Sequence, residues 1–135
     1  MDQKQVIVVI GLPGSGKTTY CVENYPSYTV FDDFMTEWLM GKIQKYIEQG
    51  EKVCLNDPML CIWSTFKRFM NELEKLVDRD YINIVLFTNE PYYCSYNVEN
   101  RNDGRDGVER TVFSFSVMYD LDRYKEWQPV IKEVF

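Results

Sequence analysis

Histidine is absent from this chain of 135 residues. Without an imidazole there is no Ser-His-Asp triad, no Cys-His nucleophile pair and no histidine-ligated metal centre. Any general base must therefore be a carboxylate, a lysine, a tyrosine or a cysteine. This absence excludes several enzyme mechanisms at once.

Cysteine is sparse, and the four residues Cys21, Cys54, Cys61 and Cys94 show no Cys-x-x-Cys spacing. Together with the lack of histidine, this spacing argues against a structural zinc site and does not indicate a disulfide framework. We expect four reduced thiols that pack as small hydrophobic side chains.

Long hydrophobic runs are also missing. No apolar run approaches the roughly 20 residues of a membrane span. Residues Met1–Gln5 lead directly into an apolar run that is too short for the core of a secretory signal peptide. We therefore expect a cytoplasmic protein.

Positive charge is in deficit, because 15 lysines and arginines face 21 acidic residues and the net charge is −6. Such a chain has no overall basic field that would let it coat DNA or RNA, although a local basic groove remains open. Its 45% apolar and 16% aromatic content predicts a well-packed core in a chain of this length. We expect one domain over residues 1–135.

The chain contains one complete motif, Gly11-Leu-Pro-Gly-Ser-Gly-Lys-Thr18, which fits the P-loop pattern G-x-x-x-x-G-K-[ST] at every position. It follows the apolar run Val6–Ile10, a predicted buried strand, and precedes residues that can open a helix. Glycines in this context let backbone N–H groups face inward and form an anion site at a helix N-terminus. Lys17 is then predicted to bridge the β- and γ-phosphates of a bound nucleotide, and the hydroxyl of Thr18 is predicted to bind Mg²⁺. The residues predicted to hold the nucleotide are Gly11, Pro13, Gly14, Ser15, Gly16, Lys17, Thr18 and Thr19.

The rest of the chain alternates predicted strands and helices. The predicted strands are Gln5–Ile10, Tyr28–Phe31, Lys52–Leu55, Tyr81–Phe87 and Pro129–Phe135. The predicted helices run from the P-loop to about Tyr25, over Phe34–Gln49, along the apolar stripe Ile62, Phe66, Phe69, Leu73 and Leu76, and over Thr111–Lys125. This alternation predicts a parallel sheet with right-handed crossovers and a ligand site beyond the carboxyl ends of its strands.

Acidic residues follow the second and third predicted strands, at Asp32-Asp33 and at Asp57. Since the carboxyl ends of parallel strands share one edge of the sheet, we expect these side chains to converge with the P-loop. Asp32 is predicted to take a proton from an acceptor hydroxyl or to orient it, with Asp33 as second choice, and either one would also cap the next helix. Asp57 has two interpretations, as a partner of the P-loop hydroxyl and its metal, or as the cap of the segment after Pro58.

The stretch Thr88–Asp120 is polar and glycine-bearing, and we predict a lid over about residues 91–110. Its arginines, Arg101, Arg105 and Arg110, would stabilise charge on the transferred phosphate when the lid closes. The alternative is a solvated loop whose arginines pair with acidic neighbours.

Three tyrosines, Tyr92, Tyr93 and Tyr96, stand close together in the same stretch. They would stack on an adenine or on an acceptor base, because the face of any base can pack on an aromatic ring. Packing in the core is the other interpretation.

Together these residues resemble the small P-loop kinases, and most closely the polynucleotide 5′-kinases of bacteriophage. The resemblance lies in the P-loop core Pro13–Lys17, in Phe31-Asp-Asp-Phe34, in Asn56-Asp-Pro-Met-Leu60 and in the position of the arginine-bearing segment Asn97–Arg110. It implies an α/β fold of three layers, a P-loop NTPase with a central parallel sheet, helices on both faces and kinase-type strand order. It also implies that the first aspartate of the second element activates the acceptor hydroxyl, and it suggests a phage or viral source. The family places an arginine three residues after that aspartate, where this chain has Met35.

The first functional hypothesis is therefore a kinase that uses ATP and Mg²⁺ to phosphorylate a hydroxyl of a nucleic-acid end, a nucleoside or nucleotide, or another small acceptor. The residues predicted to carry the reaction are Lys17, Asp32, Arg101 and Arg105 as catalytic groups, with Thr18 and Asp57 at the metal. The alternative is an ATP-binding module or slow ATPase that acts on a protein partner without a phosphoryl acceptor. For a viral protein the expected location is the host cytoplasm, with no membrane contact.

Overall fold

The computed structural model describes residues 4–35, 39–101 and 108–134. Within these ranges one sheet forms, and its neighbouring strands are parallel throughout. Its strands are β1 Val6–Ile10, β2 Thr29–Asp32, β3 Val53–Asn56, β4 Ile82–Phe87 and β5 Val130–Lys132. Their order across the sheet is β2-β3-β1-β4-β5, the kinase-type order that the resemblance implies.

Helices connect these strands along the chain. They are α1 Lys17–Asn24, α2 Met40–Glu48, α3 Trp63–Glu74, α4 Pro91–Arg101 and α5 Val108–Met118. Short 3₁₀ helices lie at Pro58–Cys61, Arg79–Tyr81 and Leu121–Trp127. Among the described residues, no helix is both long enough and apolar enough to span a membrane.

The central strand β1 is buried along its whole length. Val6, Val8 and Ile10 pack into the larger apolar cluster, whereas Ile7 and Val9 pack into a second cluster on the opposite face. Because alternate side chains of a strand point to opposite faces, two clusters mean that both faces of the sheet are covered. The predicted three-layer α/β fold is therefore confirmed. All four cysteines are buried and free of disulfides, as their spacing predicts.

Three residues of the apolar stripe predicted for the third helix, Phe66, Phe69 and Leu73, are buried in α3, whereas Ile62 and Leu76 lie just outside the helix and are half-buried. The helix begins at Trp63, because the residues from Pro58 form a separate 3₁₀ helix. The stripe is core, as its spacing predicts.

The second predicted helix starts later than the sequence indicates. Phe34 is buried in the turn after β2, and α2 begins well beyond it. Ile43 and Ile47 are the buried residues of α2, and Gly50 follows with a φ of +77°. A left-handed glycine after a helix end is a common C-terminal cap. Trp38, which lies within the predicted helix, is outside the described residues.

Much of the stretch predicted as a polar lid is helical. It contains α4 and α5, which pack against each other, and residues 102–107 between them lie outside the described part of the chain. Pro91 is the first residue of α4, a position where its missing N–H costs nothing. Cys94, Val98 and Val112 join the larger apolar cluster and hold both helices to the domain. The last predicted helix is likewise divided, because α5 ends at Met118 before the 3₁₀ helix of residues 121–127.

Two buried tyrosines attach the C-terminal part of the chain to β4 and to the 3₁₀ helix after β3. Tyr119 Oη donates to the carbonyl of Phe87, the last residue of β4, at 2.5 Å. Tyr124 Oη donates to the carbonyl of Leu60 at 2.7 Å. Burial raises the pKa of both hydroxyls, so both remain protonated donors at neutral pH.

Candidate active site

The P-loop turns from the end of β1 into the N-terminus of α1. Gly14 and Gly16 have φ angles of +84° and +99°, in the left-handed region that favours glycine. Gly16 precedes α1, and no described side chain caps that helix. The first N–H groups of a helix lack partners within it, so this end of α1 has the donors that an anion site requires.

Ser15 and Gly11 show how tightly the loop is closed. A Cβ atom on Gly11 would lie 2.5 Å from Ser15 Oγ and 2.9 Å from the Cβ of Phe87. Ser15 Oγ is buried and has no hydrogen-bond partner among the described residues. A buried hydroxyl without a partner is costly, and a phosphate oxygen held by the loop would give it an acceptor. The loop therefore fits a phosphate ligand.

Lys17 is buried inside the loop, where its Nζ atom donates to the carbonyl of Leu12 at 2.9 Å. Burial lowers the pKa of this amine, and the carboxylates of Asp32 and Asp33 oppose that shift only in part. A bound phosphate would replace the neutral carbonyl by a negative group and so favour the charged amine. The position of Lys17 suits a phosphate ligand, and its catalytic role stays a prediction.

The P-loop meets the end of the second strand through a side-chain contact. Thr18 Oγ1 donates to Asp32 Oδ2 at 2.9 Å, and both side chains are exposed. The next residue, Asp33, has a φ of +51°, and its N–H donates to the carbonyl of Asn56 at 2.9 Å. This hydrogen bond holds the turn after β2 against the end of β3. The convergence that the sequence predicts for these strand ends is thus present in the structure.

Asp57, by contrast, is a fully buried carboxylate with two backbone partners. Its Oδ1 accepts from the N–H of Met59 at 2.8 Å, which is the cap that the sequence allows, and its Oδ2 accepts from the N–H of Met35 at 3.0 Å. The carboxylate beside Thr18 is Asp32. The structure therefore shows the capping role of Asp57, and its role at the metal stays a prediction.

Replacing Asp57 by alanine is expected to lower the free energy of unfolding by about 3 kcal/mol, because two backbone N–H groups lose a buried, charged acceptor. Asp120→Ala is the matched control, since the exposed Asp120 caps a 3₁₀ helix by accepting from the N–H of Asp122 at 3.1 Å. The control is expected to cost only about 0.5–1 kcal/mol. Urea denaturation measures both losses, and equal losses would contradict the buried role of Asp57.

A cavity of about 260 Å³ lies among these groups. Its lining residues are Pro13, Gly14, Gly16, Lys17, Thr18, Thr19, Asp32, Asp33, Asn56, Pro58 and Thr111. Six of the eight residues predicted to hold the nucleotide are among them, and the other two, Gly11 and Ser15, are buried. The cavity brings the P-loop and the second-strand aspartates to one place.

Some lining residues were not predicted as part of the site. Asn56 and Pro58 flank Asp57 at the end of β3, and their position at the carboxyl end of a parallel strand is the signal that could have found them. Thr111 is half-buried in α5 and joins the lining from the region predicted as a lid. No local pattern distinguishes this threonine from its neighbours.

The structure describes the three predicted lid arginines to different extents. Arg101 is the last residue of α4, and only its backbone is described. Arg105 lies outside the described residues. Arg110 is exposed on α5, directly before Thr111 of the cavity lining. Their catalytic roles stay predictions.

Asn97 connects α4 to the P-loop. Its Nδ2 donates to the carbonyl of Gly14 at 2.9 Å. A Cβ atom on Gly14 would lie 2.4 Å from the carbonyl oxygen of Cys94 and 2.9 Å from a methyl carbon of Val98. Helix α4 therefore packs directly on the loop, and only glycine allows this approach.

A divalent cation would have few protein ligands here. Among the described residues, no three cysteine, aspartate or glutamate side chains are grouped closely enough to hold a metal ion. The group that fits Mg²⁺ is Thr18 Oγ1, which donates its proton to Asp32 Oδ2 and keeps its lone pairs for the ion. Mg²⁺ in nucleotide sites usually takes its other ligands from phosphates and water, so a site with few protein ligands suits it.

Comparison with known proteins gives a relative and a fold. No protein-family model matches the chain. An uncharacterized protein of Acanthamoeba polyphaga mimivirus is 39% identical over 135 residues, which cover 98% of each chain. Among solved structures, a gluconokinase from Sinorhizobium meliloti 1021 is similar with a TM-score of 0.67 over 98% of this chain and 85% of that one, at 16% sequence identity. At that identity the likeness shows the fold, which is that of a P-loop kinase.

Proposed function

This chain belongs to the same family as the mimivirus protein, and we propose that it is an ATP-dependent phosphotransferase. It moves the γ-phosphate of ATP to a hydroxyl of a nucleic-acid end, a nucleoside or nucleotide, or another small acceptor. The P-loop kinase fold supports this proposal. The motifs that resemble polynucleotide 5′-kinases make a 5′-hydroxyl end the first acceptor to test.

The observation that carries the proposal is the 2.9 Å hydrogen bond from Thr18 Oγ1 to Asp32 Oδ2. The hydroxyl at this position of a P-loop binds the Mg²⁺ that accompanies the phosphates. Asp32 therefore lies beside the expected position of the terminal phosphates, on an exposed side chain that an acceptor can reach. Transfer to a hydroxyl requires a group that takes or orients its proton, and a carboxylate in this place meets that requirement.

The other groups have complementary roles in this proposal. Lys17 holds the β- and γ-phosphates, and Thr18 contributes to the Mg²⁺ site. Asp32 orients the acceptor hydroxyl and takes its proton. Arg101 and Arg105 supply the positive charge that a phosphoryl-transfer site needs as negative charge spreads over the transferred group.

The second candidate function is an ATP-binding module or slow ATPase that acts on a protein partner. Met35 favours it, because the polynucleotide kinases that the motifs resemble place an arginine at this position. The N–H of Met35 donates to Asp57, and its side chain brings no cation to the acceptor side of the cavity. For either function we propose the cytoplasm of an infected host cell as the location, since the relative is viral.

Transfer from γ-labelled ATP to a panel of acceptors tests the proposal. The panel contains 5′-hydroxyl DNA and RNA oligonucleotides, nucleosides, nucleoside monophosphates and gluconate, each with Mg²⁺. We expect label in one acceptor class, with a rate at least about 100-fold above that of a Lys17→Met preparation purified in parallel. ATP binding without transfer to any acceptor would support the binding module instead, and an absence of ATP binding would overturn both.

A further inference from the structure

Helix α4 carries an exposed aromatic surface that the proposed reaction does not use. Tyr92, Tyr93 and Tyr96 are 80%, 61% and 61% exposed, and we call these three residues the tyrosine face. Residues three and four apart are neighbours on a helix, so the three rings share one side of α4. Core packing, one of the two interpretations of this cluster, is therefore excluded, because tyrosines of the core are nearly fully buried.

The tyrosine face adjoins the P-loop. Asn97, one helical turn after Tyr93, donates to the carbonyl of Gly14 at 2.9 Å. A concavity of about 470 Å³ is lined by the tyrosine face together with Asn97. Asn97 thus contacts the P-loop and also lines the concavity beside the tyrosine face, so the tyrosine face is continuous with the P-loop.

The strand order of the sheet indicates which end of a bound nucleotide would contact the tyrosine face. Strands β2 and β4 lie on opposite sides of β1, which leads into the P-loop. Asp32 ends β2 on the acceptor side, whereas α4 follows β4 on the other side. A phosphate chain held by the loop would therefore separate Asp32 from the tyrosine face. On this side of the loop, the base of a donor nucleotide would lie away from the acceptor.

The chemistry of the surface suits a nucleobase. Its lining is almost entirely aromatic, and the ring of Tyr92 is held edge-on against Phe113 of α5, with centroids 5.3 Å apart and planes at 70°. Flat aromatic rings stack on the π-face of a base, while the hydroxyl of each tyrosine can remain hydrogen-bonded to water at the edge of the concavity. The described residues of the lining include no lysine or arginine that would bind a phosphate, so stacking is the main interaction that they offer.

We propose that the tyrosine face binds the nucleobase of the nucleoside triphosphate whose phosphates the P-loop holds. This inference rests on the proposed function, because it assumes a nucleotide donor. Stacking does not read hydrogen-bonding edges, so ATP and GTP are expected to bind with affinities within about 3-fold of each other.

The test separates base binding from phosphate binding. Isothermal titration calorimetry measures the Kd of MgATP, MgGTP and magnesium tripolyphosphate for the wild type and for a Tyr93→Ala/Tyr96→Ala double variant. We expect the double variant to bind both nucleotides about 10- to 100-fold more weakly and tripolyphosphate as tightly as the wild type. A Tyr93→Phe/Tyr96→Phe variant keeps the rings and is expected to stay close to wild type.

Tyr81→Ala is the matched control, since Tyr81 is 56% exposed at the amino end of β4, far from the P-loop. Equal weakening of nucleotide and tripolyphosphate, or no weakening of either, would overturn the base-binding role while the proposed function stands. Light scattering on the same variants tests the other occupant, a second copy of the chain. Loss of a dimer in the alanine variant without loss of nucleotide affinity would also overturn the inference. A wild type that binds neither ATP nor tripolyphosphate would overturn the proposed function itself.

Discussion

Replacing Lys17 by methionine is expected to reduce phosphoryl transfer by about 100- to 1000-fold and to weaken MgATP binding. Methionine has a similar length but no charge, so the variant loses the group that attracts the β- and γ-phosphates and stabilises charge in the transition state. Steady-state transfer to the acceptor that the panel identifies measures the first effect. Calorimetric titration with MgATP measures the second.

The same variant is expected to remain as stable as the wild type when no nucleotide is bound. The Lys17 amine is buried, and burial lowers its pKa, so keeping it charged costs folding free energy. Methionine fills the same space without that cost and loses one hydrogen bond, from Nζ to the carbonyl of Leu12. We expect a Tm no lower than that of the wild type, and no increase when MgATP is added.

Lys75→Met provides the control for this experiment. Lys75 is an exposed lysine after α3 that pairs with Glu72 at 3.1 Å, so its loss removes the same charge without touching the site. Transfer and MgATP binding by this control should match the wild type. A Lys17→Met protein with a lower Tm and an intact response to MgATP would show that the lysine is structural, which would contradict its proposed role.

The fold could be predicted where the local sequence pattern was strong. The prediction was incomplete where only a few residues of an element are buried. β1 is an unbroken apolar run beside a complete motif, and α3 has a long apolar stripe, so both were found from sequence. Helix α4 was not, because Cys94 and Val98 are its buried apolar positions and Pro91 is typical of a loop as much as of a helix start. The strand order came from the resemblance, since crossovers decide it and no local pattern encodes them.

The site was predictable to the level of strand ends. Because the carboxyl ends of parallel strands share one edge of the sheet, Asp32 and Asp57 were both expected near the P-loop. This argument could not decide which carboxylate contacts Thr18. The choice depends on two backbone N–H groups that bind Asp57 in the interior, and such donors become visible only in the folded chain. The contact of Asn97 with Gly14 joins residues 83 positions apart, so it was equally inaccessible to spacing arguments.

Replacing Asp32 by asparagine is expected to slow transfer by about 100- to 10,000-fold while the Kd of MgATP stays within about 3-fold of wild type. Asparagine has the same shape and can still accept from Thr18, but it cannot take a proton from an acceptor hydroxyl. Single-turnover transfer and calorimetry measure the two quantities. Asp78→Asn, an exposed aspartate before β4 at the opposite end of the sheet, is the control and should leave both unchanged.

The dependence of the residual rate on Mg²⁺ then separates two roles for Asp32. A residue that acts on the acceptor leaves the Mg²⁺ concentration for half-maximal rate unchanged, because Thr18 and the phosphates still hold the ion. A residue that acts through the metal raises that concentration, and excess Mg²⁺ restores much of the rate. We expect the first result, since Asp32 is exposed toward the cavity in addition to its contact with Thr18. Rescue by Mg²⁺ would instead assign Asp32 to the metal, and the group that takes the proton would have to be found among the other cavity residues, with Asp33 first.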